Sequence, residues 1–524
     1  MIAISPDTVR KIDEYARDVL NISVKLLMGR AGDAVAEAAR RHLPLGGTAL
    51  ILCGGGNNGG DGYAAALALR RMGLSAFAAD VLGKGQAGEE GKDLLKEYSE
   101  NERERLLEIA RNAPEEKRAR LLKEADEKAR PLTLAEAAAM PHALLIDAVL
   151  GTGGRLPLRE ELLPVAKLIS GSTAYKIAID LPLGTDAESG RADPAAVRVD
   201  ETVMLGFPKH GLHSYPARAY CGRLTLDPIG LDVPAVREHF ALTDRLMSKE
   251  DAAALLPRRA ANTHKGSFGH LLLLAGSPRY RGAALLAASA ALRMGAGLVT
   301  LASAEEVLSA AAVRDPEVIC AALPAPEDTL VLTEKKTAIL IGPGAGADEA
   351  LLSRLRLLLS SEGAPLVIDA DGLTVLASDA GRDLLREAKR KVILTPHPAE
   401  FARLLGKSTE EVQADRLLLA RAFVREYPVT LVLKGAATVV SEGERFSINL
   451  TGGPSLAKGG SGDVLAGALA SLLATGLSPY DAARLAVAVH GAAGDRLATE
   501  FSEHGVRPAD LPDEMARILG EVAP

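Results

Sequence analysis

Tryptophan is absent from the 524 residues, and phenylalanine and tyrosine together keep the aromatic content at 3%. A stacking platform for single-stranded nucleic acid is hard to build from so few rings. Basic surplus is missing too. The net charge is -7 and there is no lysine- or arginine-rich tract, which argues against a nucleic-acid partner. No apolar run is long enough to span a bilayer. The cysteines are only three, Cys53, Cys221 and Cys320, odd in number and scattered. That excludes a disulfide frame and a zinc-ligand spacing and fits a reducing cytosol. The opening MIAISPDTVRKIDEYARDVL lacks a basic segment followed by an apolar one, so it does not read as a secretion signal. It reads as a helix, with Ser5 as cap and Pro6 in the first position.

What remains is the composition of a folding chain, 48% apolar and 25% charged, too long for one core. From residue 48 short apolar strands alternate with helical stretches. TALILC (48–53), SAFAADVL (75–82), ALLIDAVL (143–150), YKIAIDL (175–181), ETVMLGF (201–207) and RLTLDPI (223–229) read as strands, and YAAALALRRMG (63–73) as a helix. Near-continuous apolar strands between helices predict an α/β domain with a mostly parallel sheet. Residues 89–130 break the rhythm with dense charge and apolar pairs at Leu94/Leu95, Leu106/Leu107 and Leu121/Leu122, a helical hairpin broken near Pro114. It reads first as a solvated excursion, with an oligomer contact or lid as the alternative. Residues 232–250 show no strand pattern and read as a connector. A second α/β series follows, with strands at 270–276, 297–303, 338–344, 365–372, 391–396 and 430–435 and a helix at 283–295. The halves share alternation but not motifs, so two different α/β folds are fused: a Rossmann-like three-layer domain over 1–238 and a second domain over 245–524.

The stretch GGGNNGGDG (54–62) has six glycines in nine residues, between a strand and a helix. Backbone N–H groups at a helix start favour an anion, and glycine lets a ligand approach the backbone. The pattern is neither G-x-G-x-x-G nor a Walker loop. Asn57, Asn58 and Asp61 add side chains able to hold a ribose, an amide or a monovalent cation. GTGG (151–154) follows one strand and Asp180 ends another, so both belong at the same sheet edge. Asp147, inside its strand, is a structural carboxylate or, beside Asn58, a cation ligand.

In the second half, AKGGSGDVLAG (457–467) places Gly459, Gly460 and Gly462 before a helix. Their N–H groups suit an anion, and Asp463 is placed to take a proton from a hydroxyl attacking a phosphate. Alone, such an aspartate could equally cap the helix. TPHPAEF (395–401) holds His397 between prolines, and LVLKGAATVV (431–440) puts Lys434 at a strand end, where it suits a nucleotide phosphate or ribose. GPGAG (342–346) and YRGAA (280–284) bring backbone close to a ligand.

GGGNNGGDG, DAVLGTG and IDLPLG in that order resemble the NAD(P)H-hydrate epimerases, and the second half resembles the ribokinase-like NAD(P)H-hydrate dehydratases that bacteria fuse to them. The resemblance covers nearly the whole chain. It implies a cytoplasmic repair enzyme, an isomerase and lyase, that acts on hydrated NADH and NADPH and assembles as a homo-oligomer. The first half would interconvert the two epimers at the hydroxylated ring carbon. The second would dehydrate the S epimer at the expense of ADP, giving AMP and phosphate, with Mg²⁺. Residue by residue, Asn57, Asn58, Gly59, Gly60 and Asp61 would hold the hydrate with Gly151, Thr152, Gly153, Gly154, Arg155, Leu156 and Pro157. Asn58 and Asp147 would ligate K⁺, and Asp180 would transfer the proton. Ala284, Gly346 and His397 would contact the hydrate in the second half, with Glu400 acting through water on Mg²⁺. Lys434, Gly435, Ala436, Ala437, Thr438 and Gly462 would hold the nucleotide beside Gly459 and Gly460, and Asp463 would be the base. Departures are Leu183, where the family has a hydroxyl residue that often ligates K⁺, Gly29 in place of an acid, KGGSGD for TGGTGD, and DADGL (369–373) for DADAL. Rival readings are a ribokinase-like small-molecule kinase with a nucleotide-binding first domain, a nucleotide sensor without turnover, and a chain with one working half.

Overall fold

The computed structural model describes residues 1–86 and 88–522, and the chain divides into two compact units, residues 2–242 and residues 243–524 together with Met1.

Among the described residues the first unit holds a seven-stranded sheet. From edge to edge it runs Leu132–Thr133, Ser75–Asp80, Thr48–Cys53, Leu144–Ala148, Tyr175–Ile179, Glu201–Leu205 and Arg223–Asp227, every neighbouring pair parallel. The inner strands are mostly apolar because both faces are covered. Leu50 and Leu52 face one core with Val165 and Ile169, while Ala49 and Ile51 face the other with Val35 and Tyr63. The strand order reverses between Thr48–Cys53 and Leu144–Ala148. Their carboxyl ends therefore part to form a crevice, the usual ligand position in such sheets.

The glycine stretch is less of a loop than its composition suggests. The helix starts at Asn57 and runs to Arg71, so Gly59, Gly60 and Gly62 lie inside it. A Cβ on Gly59 would sit 1.8 Å from the Gly54 carbonyl oxygen, and one on Gly62 would sit 2.7 Å from the Ala148 Cβ. These glycines bring the helix down onto the strand ends.

The charged excursion is the helical hairpin, Glu89–Arg111 and Glu115–Lys128, with Pro114 at the second N-cap. It is only half a solvated element. Arg70, on the helix beneath, donates to Glu102 at 2.7 Å, to Asn101 at 2.9 Å, to the Tyr98 hydroxyl at 3.1 Å and to the Ala76 carbonyl at 2.9 Å. Leu94 and Tyr98 are buried under the first hairpin helix, whereas the second buries only Ala125.

The second unit holds a ten-stranded sheet among the described residues. Seven strands are parallel, in the order Ile319–Ala322, Leu298–Ser303, His270–Leu274, Ala338–Ile341, Leu366–Ile368, Val392–Leu394 and Val429–Leu433. The hairpin Val439–Glu442 and Arg445–Asn449 continues it antiparallel, and Arg245–Met247 closes the edge parallel to the last strand. Residues 232–250 are thus no plain connector. They contain the helix Pro234–His239 and that edge strand, too short at three residues to show a period. The order reverses between His270–Leu274 and Ala338–Ile341, which sets the second crevice.

The 1.8 Å approach makes a prediction. Gly59→Ala should lower the stability of the first unit by about 1–3 kcal/mol, the usual cost of overpacking a filled core. Denaturant unfolding of the full chain, followed through its separate transitions, checks this; an unchanged first-unit transition would refute the packing role.

Candidate functional site

At the first crevice lies a cavity of about 650 Å³. Asn57, Asn58, Asp61, Gly151, Thr152, Gly153, Gly154 and Asp180 all line it. Gly59 and Gly60 are buried in the helix, and Arg155, Leu156 and Pro157 are not among the lining residues. None of those five positions lines the cavity.

Asp180 adopts φ +68, a left-handed conformation rare outside glycine, immediately after its strand. Its N–H donates to the Val203 carbonyl at 2.8 Å, which fixes the turn. Its carboxylate is in direct contact with the Lys209 ammonium, which also donates to the Leu205 carbonyl at 2.6 Å. Lys209 is 1% exposed. An ammonium so enclosed stands only against a carboxylate. Asp61 opens onto the cavity and is enclosed by protein elsewhere. Burial pushes its carboxyl well above the usual range, neighbouring Asp180 and Asp13 push the same way, and Lys209 opposes them. Lys209 and Asp13 were not foreseen. Lys209 follows a strand in GFPKHG, a signal that was available; Asp13 comes from the first helix and nothing local marks it.

Asp147 lies beneath this floor, fully buried, its oxygens accepting the N–H of Leu183 at 2.7 Å and of Val149 at 3.2 Å. Burial still carries its carboxyl up to about 6. The Asn58 amide donates to the carbonyls of Leu150 and Ile179 at 3.0 and 3.2 Å. Leu183 contributes its N–H here, while its side chain joins the apolar core. Among the described residues, no three His, Cys, Asp or Glu side chains converge as a metal cage.

At the second crevice the centre is Lys434. Its ammonium lies 2.9 Å from Asp369 and 3.9 Å from Glu400, and a Cβ on Gly462 would be 3.2 Å from it. Gly462 and Asp463 belong to the first turn of the helix Ser461–Ala474, with Gly460 at its N-cap in the left-handed region, φ +103. Burial raises the Asp463 carboxyl to about 7; Asp369 adds to the rise and Lys434 opposes it. Asp369 and Asp371 belong to the DADGL stretch, to which the sequence by itself assigns no role. Asp371 accepts the Gly346 N–H at 2.8 Å, which ties the GPGAG turn to this group.

The other predicted positions are placed as follows. His397 caps the helix Pro398–Leu405, its Nδ1 accepting the N–H of Ala399 and Glu400 at 3.1 and 3.3 Å, and its Nε2 is 3.4 Å from Glu400. Burial, with Lys434 and Arg403 close by, lowers its pKa, so it is neutral at pH 7. Ala284 is fully buried and packs at Gly276, leaving no side-chain surface for a ligand. The turn after Lys434 is tight. Gly435 has φ +135, Ala437 has φ +56, and the Thr438 hydroxyl donates to the Gly435 carbonyl at 3.0 Å. Arg416, 3% exposed, holds the base of that turn by donating to the carbonyls of Leu433 and Lys434, both at 3.2 Å.

Comparison with known proteins matches this two-site layout. A family described as YjeF-related protein N-terminus matches residues 24–211, and a family described as NAD(P)H-hydrate dehydratase matches residues 271–517. The chain is 34% identical to a bifunctional NAD(P)H-hydrate repair enzyme of Thermofilum pendens, over 98% of this chain and 95% of that one. It is also 34% identical to the enzyme of the same description from Escherichia coli, over 98% and 93%. Among solved structures, the ADP/ATP-dependent NAD(P)H-hydrate dehydratase of Bacillus subtilis, co-crystallised with ATP and Mg²⁺, is 32% identical. It has a TM-score of 0.49 and covers 53% of this chain and 98% of that one.

The electrostatics of the second site can be checked directly. The Asp463 carboxyl should titrate near pH 7, and Lys434→Met should move it higher, because the ammonium is what opposes the rise. Infrared difference titration against Asp463→Asn measures both; an Asp463 carboxyl titrating near pH 4 would contradict the geometry.

Proposed function

The chain belongs to the family of bifunctional NAD(P)H-hydrate repair enzymes, and from that membership we propose how its residues divide the work. It is an isomerase and a lyase of metabolite repair. The first unit epimerises the hydrate and the second dehydrates it to NAD(P)H. The observation that carries the division is the recurrence of one arrangement: in each unit a carboxylate, Asp180 or Asp463, sits at a strand-end crevice beside an enclosed lysine.

In the first unit, Asn57, Asn58 and Asp61 with the 151–154 turn hold the hydrated ring, and Asp180 moves a proton at the ring hydroxyl. Lys209, in direct contact with Asp180, orients it. Potassium suits the oxygen-rich floor: Asn58 and Asp147 would hold it, where it supplies a fixed positive charge near the ring. The Leu183 side chain adds no ligand.

In the second unit, Asp463 takes the proton of the ring hydroxyl as that oxygen attacks the terminal phosphate of ADP. The turn at Gly459, Gly460 and Gly462 receives the phosphate charge, and Lys434 to Thr438 hold the nucleotide. The ring-nitrogen lone pair then expels phosphate to give an iminium, and loss of a proton from the adjacent ring carbon to solvent restores the dihydropyridine. Three carboxyl groups, Asp369, Glu400 and Asp463, act on a single ammonium here, and Asp371 acts in turn on Asp463. That surplus of negative charge fits Mg²⁺, which binds through a few carboxylates and substrate phosphates and would neutralise charge on the transferred group. The full-length match leaves no reason to prefer a small-molecule kinase.

A mixture of both NADH-hydrate epimers with the full chain, ADP, Mg²⁺ and K⁺ tests the reading. Complete recovery of dihydropyridine absorbance, with AMP and phosphate formed, is expected. Arrest after one epimer is consumed would mean the first unit is inactive, and no recovery would refute the assignment. The pH profile adds a second check. Because Asp463 must be ionised to act and its pKa is near 7, kcat/KM for dehydration should fall about tenfold per pH unit below that value.

A further inference from the structure

The first unit contains a carboxyl group that the assignments above leave without work. Asp13 sits on the helix Pro6–Asp18, ahead of the 24–211 stretch matched by the family comparison. It lines the same cavity as Asp61 and Asp180. The helix is not placed there by chance packing. The Ile4 N–H donates to the Pro208 carbonyl at 2.9 Å, and Ile4 forms a parallel bridge with Lys209, the residue that touches Asp180. Ser5 then caps the helix by accepting the Thr8 N–H at 3.2 Å, and Ile12 and Ala16 anchor its inner face at 1% and 0% exposure. With both neighbours so held, Asp13 has little freedom to leave the cavity wall.

Among the described residues Asp13 makes no hydrogen bond and no ion pair, whereas other acidic residues of its helix are paired. Asp7 pairs with Arg10 and Lys11, and Asp18 with Arg17. A half-buried, unpaired carboxyl at the wall of a substrate cavity costs stability and contributes none of the usual structural contacts. Its charged neighbours are Lys209, Asp180 and Glu14, and it acts in turn on Asp61, while Arg10, Lys84 and Arg159 line the same cavity. Burial beside the Asp180–Lys209 pair pushes both the Asp13 and the Asp61 carboxyl up, so ionising both is costly.

We infer that Asp13 is a second proton-transferring residue of the epimerase cavity, serving the ring face that Asp180 does not. The inference rests on the assignment of epimerisation to this unit. Epimerisation removes oxygen from one face of a carbon and returns it to the other, so each face needs a group that gives a proton in one direction and takes it in the other. In the outward step the C–O bond breaks and its electron pair leaves with oxygen. That oxygen takes a proton from the carboxyl on its face and departs as water, while the ring-nitrogen lone pair forms a C=N⁺ bond. In the return step water attacks the same carbon from the opposite face, the C=N π pair returns to nitrogen, and the surplus proton passes to the carboxylate there. The two carboxyls have exchanged protonation states, which is the form needed for the reverse reaction, and exchange with solvent resets them. The enclosed carboxylates also stabilise the iminium charge while it lasts.

The test uses the full chain and one purified NADH-hydrate epimer without ADP, so that the dehydratase is silent, with re-equilibration followed by chromatography. Asp13→Asn and Asp13→Ala should each lower the epimerisation kcat by about 10²-fold or more, with KM and melting temperature little changed. Added formate should restore part of the loss in Asp13→Ala, a rescue that a merely structural residue would not show. Asp180→Asn is the control. If Asp180→Asn is inactive while both Asp13 variants retain wild-type rate, or lose it without rescue by formate, this inference fails and the epimerase assignment stands. If Asp180→Asn is also fully active, the assignment itself fails.

Discussion

A lysine ammonium removed from water requires a carboxylate within reach, and this requirement organises both catalytic crevices. Lys209 is nearly inaccessible and survives because Asp180 and the Leu205 carbonyl take its donors. Lys434 is held in the same way by Asp369 and Glu400. Neither lysine lies within a strand. Each follows one, at the carboxyl edge of a parallel sheet, where strand ends diverge and side chains from distant segments converge. The protein thus meets one electrostatic constraint twice, in two sheets of different order and strand number.

The consequence for chemistry is a separation of roles among like groups. In the first cavity, Asp180 is held against Lys209, while burial favours the neutral form of Asp61. In the second, Asp369 takes the ammonium and Asp463 is left near neutrality, where a base is useful at cellular pH. Carboxyl groups of identical intrinsic acidity become different reagents through what lies against them.

Much of this was legible in the sequence, and the remainder was hidden for identifiable reasons. The parallel α/β character followed from continuous apolar strands, and Asp61, Asn58, the 151–154 turn and Asp180 do meet in one cavity, because each follows a strand in a local motif. A glycine that opens the backbone to a ligand and a glycine required for helix-to-strand contact look alike in a sequence, and the 1.8 Å approach at Gly59 shows that the contact by itself demands glycine there. The burial of Ala284 is likewise not marked by its sequence context. Asp13 was out of reach because its approach to Lys209 depends on a bridge between residues 4 and 209. The edge strand Arg245–Met247 escaped because three residues carry no period.

The docking of the charged hairpin bears on what can be removed from this unit. Arg70 lies on the helix beneath, and its donors are answered by Tyr98, Asn101 and Glu102, which all belong to the first hairpin helix. The hairpin is therefore not a removable appendage. Deleting it would strip a largely buried guanidinium of Glu102, the carboxylate it pairs with. A shortened version of this chain would have to replace Arg70 at the same time.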